Sequence, residues 1–261
     1  MPVHALRCFG AFPGAGNPAL VIDHDPSPAA ARQAFARERD TTCVWIDPAG
    51  EDGLAAVDFY YPHTRSPLCL HATLAAAQLL FACPDAPGEL AVKTALHGQH
   101  LGLLRSSDGL FVRLAPQAVV QPAMPAGLAA RLLRVADTAI AAAPRVASVG
   151  SPKLLVDVGD AATLHALAPD LDAIADWSRQ TGVNGLYAWC RRPDGEYEGR
   201  NFNHLEPRLE DSATGVAAGA LSVLLGHGLT LRQGRATGRD CLIHTRFDGE
   251  SVLVGGRVEA A

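Results

Sequence analysis

The chain has 261 residues, 48% of them apolar and 19% charged, with a formal net charge of −5 at pH 7. Such a chain buries enough core for two domains of ordinary size without disulfide or metal staples. Acidic and basic residues are mixed along the whole sequence, so no basic stripe stands ready to neutralise a phosphate backbone, and nucleic acid is excluded as an expected partner.

The opening, Met1 to Cys8, lacks a charged region followed by a long apolar stretch, and no later apolar run has the length of a bilayer span. The expectation is a soluble, cytoplasmic protein with no membrane partner. Leu6 to Asp23 reads as a strand, a Gly/Pro turn from Gly10 to Pro18, and a second strand. Pro28 to Arg39 is rich in Ala, Arg and Glu and reads as a helix, and Thr42 to Ile46 is β-branched, aromatic and strand-like. Val57 to Tyr61 alternates as a half-buried strand, Pro62 and Pro67 bracket a loop, and His71 to Ala82 is apolar nearly all round, which predicts a buried helix. Turn signals at His97-Gly98 and Ser107-Asp108-Gly109 divide residues 89–114 into a strand meander, and the prolines from Pro116 to Pro125 mark a linker.

The second half repeats the plan. Arg145 to Val158 reads as strand, loop and strand, Thr163 to Ala168 and Leu171 to Arg179 as short helical pieces, and Gly185 to Cys190 as a strand. Ala213 to Leu225 is again an apolar helix, and Leu242–Thr245 and Ser251–Val254 flank a turn at Asp248-Gly249 as hairpin strands. Two short stretches recur in order: Gly16–Asp23 returns as Gly150–Asp157, and Ala72–Ala77 as Ala213–Ala218, each displaced by about half the chain. Two similar lobes follow, with a site between them as the expected seat of chemistry.

Six cysteines (Cys8, Cys43, Cys69, Cys83, Cys190 and Cys241) show no C-x-x-C spacing, so free thiols are expected rather than a zinc knuckle or disulfide scaffold. His97 and His100 lack a third nearby ligand and read as an exposed turn, and no metal is expected. The glycines at 10, 14 and 16 have neither a Lys-Ser/Thr ending nor a strand-to-helix context, so no nucleotide cofactor is expected. Each apolar helix is preceded by short polar residues: Cys69, His71 and Thr73 around the first, Asp211, Ser212 and Thr214 before the second. A helix N-terminus receives carboxylates and favours thiolates, yet Ser, Thr and Asp there are also ordinary caps. Capping alone does not account for Cys and His before one buried helix and Glu210-Asp211-Ser212 before the other, so His71 and Asp211 lead the candidates. Cys43 reads equally as a proton-transferring thiol or as a small apolar core residue.

The chain resembles the PhzF-like proteins of phenazine biosynthesis, relatives of diaminopimelate epimerase and proline racemase, over nearly its whole length. Gly16-Asn17-Pro18, Pro67-Leu68-Cys69-Leu70-His71-Ala72-Thr73, Ser148-Val149-Gly150-Ser151-Pro152, Glu210-Asp211-Ser212-Ala213-Thr214-Gly215, Gln233-Gly234 and Val254-Gly255-Gly256 carry the likeness. The resemblance implies an α+β fold of two pseudo-symmetric lobes, each a mostly antiparallel barrel-like sheet around a central helix. The lobe boundaries expected are 1–118 and 119–245, with 246–261 a closing strand for which a return to the N-terminal lobe is one placement. It also implies a homodimer, no cofactor, and isomerase or epimerase chemistry on a small carboxylate-bearing metabolite.

By position, His71 and Asp211 correspond to family site residues, and the Gly215 region to backbone that binds the substrate carboxylate. The expected proton-transfer set is Cys43, His71 and Asp211, and the expected substrate-binding set is Asn17, Cys69, Ala72, Thr73, Ser212, Thr214 and Gly215. Three departures stand out: Cys43 occupies the place of a family glutamate, and Leu70 and Val216 replace a Gly and a Ser. Donors and pocket volume therefore differ from those that hold the phenazine precursor. A thiol titrates nearer neutrality than a carboxylate, and a helix dipole lowering its pKa would let Cys43 take over proton transfer. Two rival readings stay open: a lyase that eliminates water with Cys69 and Ser212, and a non-catalytic binding protein.

Overall fold

The structure is a computed structural model that describes residues 2–82, 87–204 and 210–261, so Cys83 lies outside the described residues. The chain forms two compact units, Met1–Leu114 with Leu253–Ala261, and Ala115–Val252. The fold is α+β.

In the first unit, β1 (Val3–Cys8) and β2 (Asn17–Asp23) form an antiparallel pair, with Cys8 opposite Asn17. The turn between them depends on Gly16, whose φ of +112° is open to glycine and where a Cβ would stand 2.7 Å from the Cys8 carbonyl oxygen. Helix α1 (Ala29–Arg39) ends at Asp40 in the left-handed region, with Arg37 and Arg39 in its last turn where cations complement the dipole. Strand β3 (Cys43–Asp47) runs parallel to β2 and antiparallel to β4 (Ala55–Tyr60), and the two-residue β5 (Arg65–Ser66) pairs with β4. Helix α2 (Leu70–Leu80) buries every residue from Leu70 to Ala77, so its stability comes from packing on all sides. It lies against β1, β2, β3 and the later strand Gly109–Leu114. Strand β6 (Glu89–Thr94) runs parallel to β4, and β7 (His100–Ser106) and β8 (Gly109–Leu114) complete the meander.

The outer face of the first unit rests on a buried ionic network. Arg32 of α1, 6% exposed, donates to Asp47 at 2.6 and 3.0 Å and to Asp58 at 3.1 Å, and Asp58 also accepts from Arg65 at 2.8 Å and Tyr60 at 3.0 Å. Removing one partner strands a buried charge, which typically costs 3–5 kcal/mol. Asp58→Ala is therefore expected to lower the unfolding free energy by about 3 kcal/mol in a urea titration. A loss below about 1 kcal/mol would show the network to be incidental.

The second unit opens with α3 (Leu128–Leu133), where the sequence reading has no element, followed by β9 (Arg145–Ala147) and β10 (Lys153–Asp157). Helices α4 (Ala161–Ala166) and α5 (Leu171–Thr181) start on Asp160 and Asp170, each accepting from a first-turn backbone N–H, which fixes both starts. Strand β11 (Leu186–Arg191) runs parallel to β10 and antiparallel to β12 (Tyr197–Phe202). Helix α6 (Gly215–Leu225) starts two residues later than the apolar run suggests, because Thr214 is its N-cap. Strand β13 (Thr230–Gln233) is parallel to β12 and antiparallel to β14 (Cys241–Phe247).

The register sorts the side chains of this sheet. Leu154, Val156, Leu186, Ala188 and Phe202 form a core with Leu133, Leu164, Ile174 and Trp177 of α3, α4 and α5. Lys153, Leu155, Tyr187 and Asn201 alternate to the opposite face, and α6 lies against β9, β10 and β14. The chain then returns to the first unit as β15 (Val252–Gly256) and β16 (Val258–Ala260), the latter antiparallel to β1 with Leu6 opposite Ala260.

Candidate active site

In the first unit the candidate residues gather at the start of α2. Cys69 holds the N-cap position in extended backbone, φ −146° and ψ 103°, and its side chain caps no amide. Its Sγ lies instead 3.4 Å from His71 Nδ1, with both residues buried. Thr73 donates its hydroxyl to the Cys69 carbonyl at 2.8 Å, and its own N–H bonds the same oxygen at 2.9 Å. That hydroxyl proton is committed to the carbonyl four residues back, at the helix start. Ala72 is fully buried in the same turn, and Asn17 stands buried at the head of β2.

Cys43 is placed elsewhere. It heads β3 and packs with Ile22, Ala36, Trp45 and Tyr60, with Leu20 and Phe35 at the edge, a cluster to which α2 contributes nothing. Its Sγ donates to the Thr41 carbonyl at 3.5 Å, and burial pushes the thiol up to about 12. This corrects the expectation of a helix dipole lowering its pKa: at neutral pH Cys43 keeps its proton. Burial pushes Cys241 up to about 12 and Cys190 to about 11 in the same way, and Cys8 is fully buried. For Cys43→Ala, turnover is expected to stay near wild type while stability falls by about 1 kcal/mol. A hundredfold fall in kcat with the fold intact would return Cys43 to the proton-transfer set.

In the second unit the loop before α6 is braced by one amide. Gln233 Nε2 donates to the Asp211 carbonyl at 2.7 Å and to Thr214 Oγ1 at 3.0 Å. Gln233 Oε1 accepts from Thr214 N at 3.1 Å and from the Tyr187 hydroxyl at 3.0 Å. All four hydrogen-bonding positions of that buried amide are used, which leaves the loop one conformation. Thr214 in turn donates its hydroxyl to Asp211 Oδ2 at 2.7 Å, and Ala213 N donates to Oδ1 at 3.4 Å, so the half-buried carboxylate is oriented from two sides. Ser212 is paired with the Thr237 hydroxyl at 2.7 Å. Glu210 is an anchor, held by both arms of Arg200 at 3.0 and 2.8 Å.

Ala217 N and Ala218 N turn back to the Thr214 carbonyl. The backbone N–H groups of Gly215 and Val216 have no acceptor among the described residues, as the first turn of a helix dictates. Two donors, the positive dipole end and an oriented carboxylate thus share one loop. Sequence reasoning noted Gln233 only as part of a motif and passed over Tyr187, Asn201 and Lys153. The signal for Lys153 was its place at the head of a strand whose next three residues, Leu154, Leu155 and Val156, are all apolar. Among the described residues no cluster of three His, Cys, Asp or Glu side chains is arranged to hold a metal ion.

A family model described as phenazine biosynthesis-like protein, PhzC-PhzF, matches residues 6–259. An uncharacterized isomerase from Deinococcus radiodurans is 31% identical over 97% of this chain and 84% of its own length. The trans-2,3-dihydro-3-hydroxyanthranilate isomerase of Pseudomonas aeruginosa is 28% identical over 98% of this chain and 92% of its own. A solved structure of a predicted epimerase from Pseudomonas aeruginosa superposes with a TM-score of 0.80 at 25% identity, covering 99% of this chain and 96% of that one. The chain belongs to the phenazine biosynthesis-like PhzC-PhzF family, and its activity class is that of an isomerase.

Proposed function

We propose that the chain is a cofactor-independent isomerase, of the epimerase or double-bond type, acting on a small carboxylate-bearing metabolite. The observation that carries this reading is the Asp211 carboxylate oriented by Thr214 in the same loop as two first-turn amides of α6 that find no acceptor among the described residues. Carbon acids next to a carboxyl group are weak, so a base alone is insufficient: charge on the developing enolate must be stabilised as the proton leaves. Amides at a helix start supply fixed donors for that charge, and Asp211 and His71 supply the groups that remove the proton and return it. Asn17, Cys69, Ser212 and Gly215 complete the substrate-binding set. In this reading the protein works in the cytoplasm as a homodimer, and sedimentation is expected to give a species of twice the 27.3 kDa chain mass.

The test is a panel of amino and hydroxy acids incubated with the protein in D₂O, read by mass and NMR. A substrate that gains deuterium at carbon with its composition otherwise unchanged supports the isomerase. Binding across the panel without any exchange refutes it. Trans-2,3-dihydro-3-hydroxyanthranilate, acted on by the Pseudomonas aeruginosa relative, belongs in the panel and is expected to be a poor substrate, because Leu70 and Val216 stand at the two helix starts in place of a Gly and a Ser. The contact between Cys69 Sγ and His71 Nδ1 at 3.4 Å favours one second reading, a lyase using Cys69 and Ser212. Its product is lighter by one water.

A further inference from the structure

Lys153 is one of only two lysines in the chain, the other being Lys93. Lys93 is an ordinary surface lysine, paired with Asp52 at 2.6 Å. Lys153 is 1% exposed, at the head of β10 on the sheet face that also carries Leu155, Tyr187 and Asn201. Its ammonium makes no hydrogen bond and no ion pair within 4 Å among the described residues, although it feels the charge of Asp211 and its own charge lowers the pKa of His204. Burial pulls its pKa down to about 8, and the attraction of Asp211 opposes that shift.

A buried ammonium without a contact partner destabilises a fold, and replacing it with an apolar side chain of similar length is neutral or stabilising. The second observation is a pair of buried polar atoms of the same unit that are left without partners. Asn201 is 1% exposed and joined to Asp211 by a β-bridge, yet its Oδ1 has no hydrogen-bond partner among the described residues, and neither has His204 Nδ1. One unpaired cation and one unpaired acceptor on the same face are complementary to a molecule with an anion and a donor.

We propose that Lys153 is a substrate-binding residue of the second unit, the counter-ion for the carboxylate of a hydroxy or amino acid whose hydroxyl or ammonium donates to Asn201 Oδ1. This rests on the isomerase reading and narrows its substrate class. A bound carboxylate completes the ammonium's hydrogen bonds.

With only two lysines, the full chain labelled with ¹⁵N-lysine gives two side-chain signals, and the Lys153→Met variant assigns them. The probes are lactate, L-serine and salicylate, with lactamide as the neutral control. The Lys153 signal is expected to shift saturably with at least one acid and not with lactamide, while Lys93 stays still. Lys153→Met is expected to bind that acid about tenfold to a hundredfold more weakly, the range for one charge-assisted hydrogen bond, with its thermal midpoint unchanged or raised. A Lys153 signal unmoved by all three acids overturns the proposal, as does a Lys153→Met variant that binds as tightly as wild type. Either result with solvent exchange intact leaves the isomerase reading standing. Saturable shifts without exchange on any acid defeat the isomerase reading instead.

Discussion

Asp211→Asn lowers kcat for the solvent-exchange reaction by about a hundredfold to ten-thousandfold, the span that a positioned acid or base contributes. The substitution is nearly isosteric. An asparagine oxygen still accepts from the Thr214 hydroxyl or the Ala213 N–H, which now hold the carboxylate at 2.7 and 3.4 Å, and Gln233 still grips the backbone carbonyl at 2.7 Å. The loop therefore survives while the exchangeable proton is lost, so the fall is in kcat with a circular dichroism spectrum like that of wild type. His71→Asn behaves in the same way if both groups serve one proton path. A variant at either position that turns over at wild-type rate would remove that residue from the chemistry.

The largest effect on stability is expected at Gly234. Its φ is +100°, and a Cβ there would fall inside the van der Waals radius of the Arg239 carbonyl oxygen and 2.9 Å from the Ser212 carbonyl oxygen. Left-handed backbone strain and the overlap together predict a loss of about 2–5 kcal/mol for Gly234→Val. Gln233 is the adjacent residue, so the amide that braces Asp211 and Thr214 shifts with it and turnover falls as well. Gly238 is the control: its φ is +69° and a Cβ added there would meet nothing within 4 Å, so Gly238→Ala costs about 1 kcal/mol and spares activity. Equal losses at the two glycines would show that backbone strain, not the close approach to Arg239 and Ser212, sets the cost.

Periodicity carried much of the fold into the sequence. Runs such as Leu70–Leu80 and Gly215–Leu225 announce themselves because a helix buried on all sides must be apolar on all sides. Strand β12 was illegible for the converse reason: Glu198 and Arg200 look like solvent-facing residues, yet Glu198 is paired with Arg192 and hydrogen-bonded to His165, and Arg200 is paired with Glu210. The short strand Thr230–Gln233 is likewise hidden by Arg232 and Gln233. At the site, the composition of the two helix starts singled out His71 and Asp211, but not which hydroxyls were already engaged. Thr73 and Ser212 turn out to bond Cys69 and Thr237. Cys43 shows the limit most plainly: its place in the motif says nothing of the Trp45 and Tyr60 rings around it, and those decide that its thiol stays neutral. Lys153 is the opposite case, a residue usually found at the surface that strand register carries inside.

The measurement that bears most directly on the proton-transfer account is the rate at which the purified chain washes solvent deuterium into the carbon beside the carboxylate of its best panel acid, followed by NMR for wild type, Asp211→Asn and His71→Asn. The account predicts a wild-type rate well above the uncatalysed one and near-silence from both variants, each still folded. Exchange that persists undiminished in both variants, or a wild type that binds acids and never exchanges them, would contradict it.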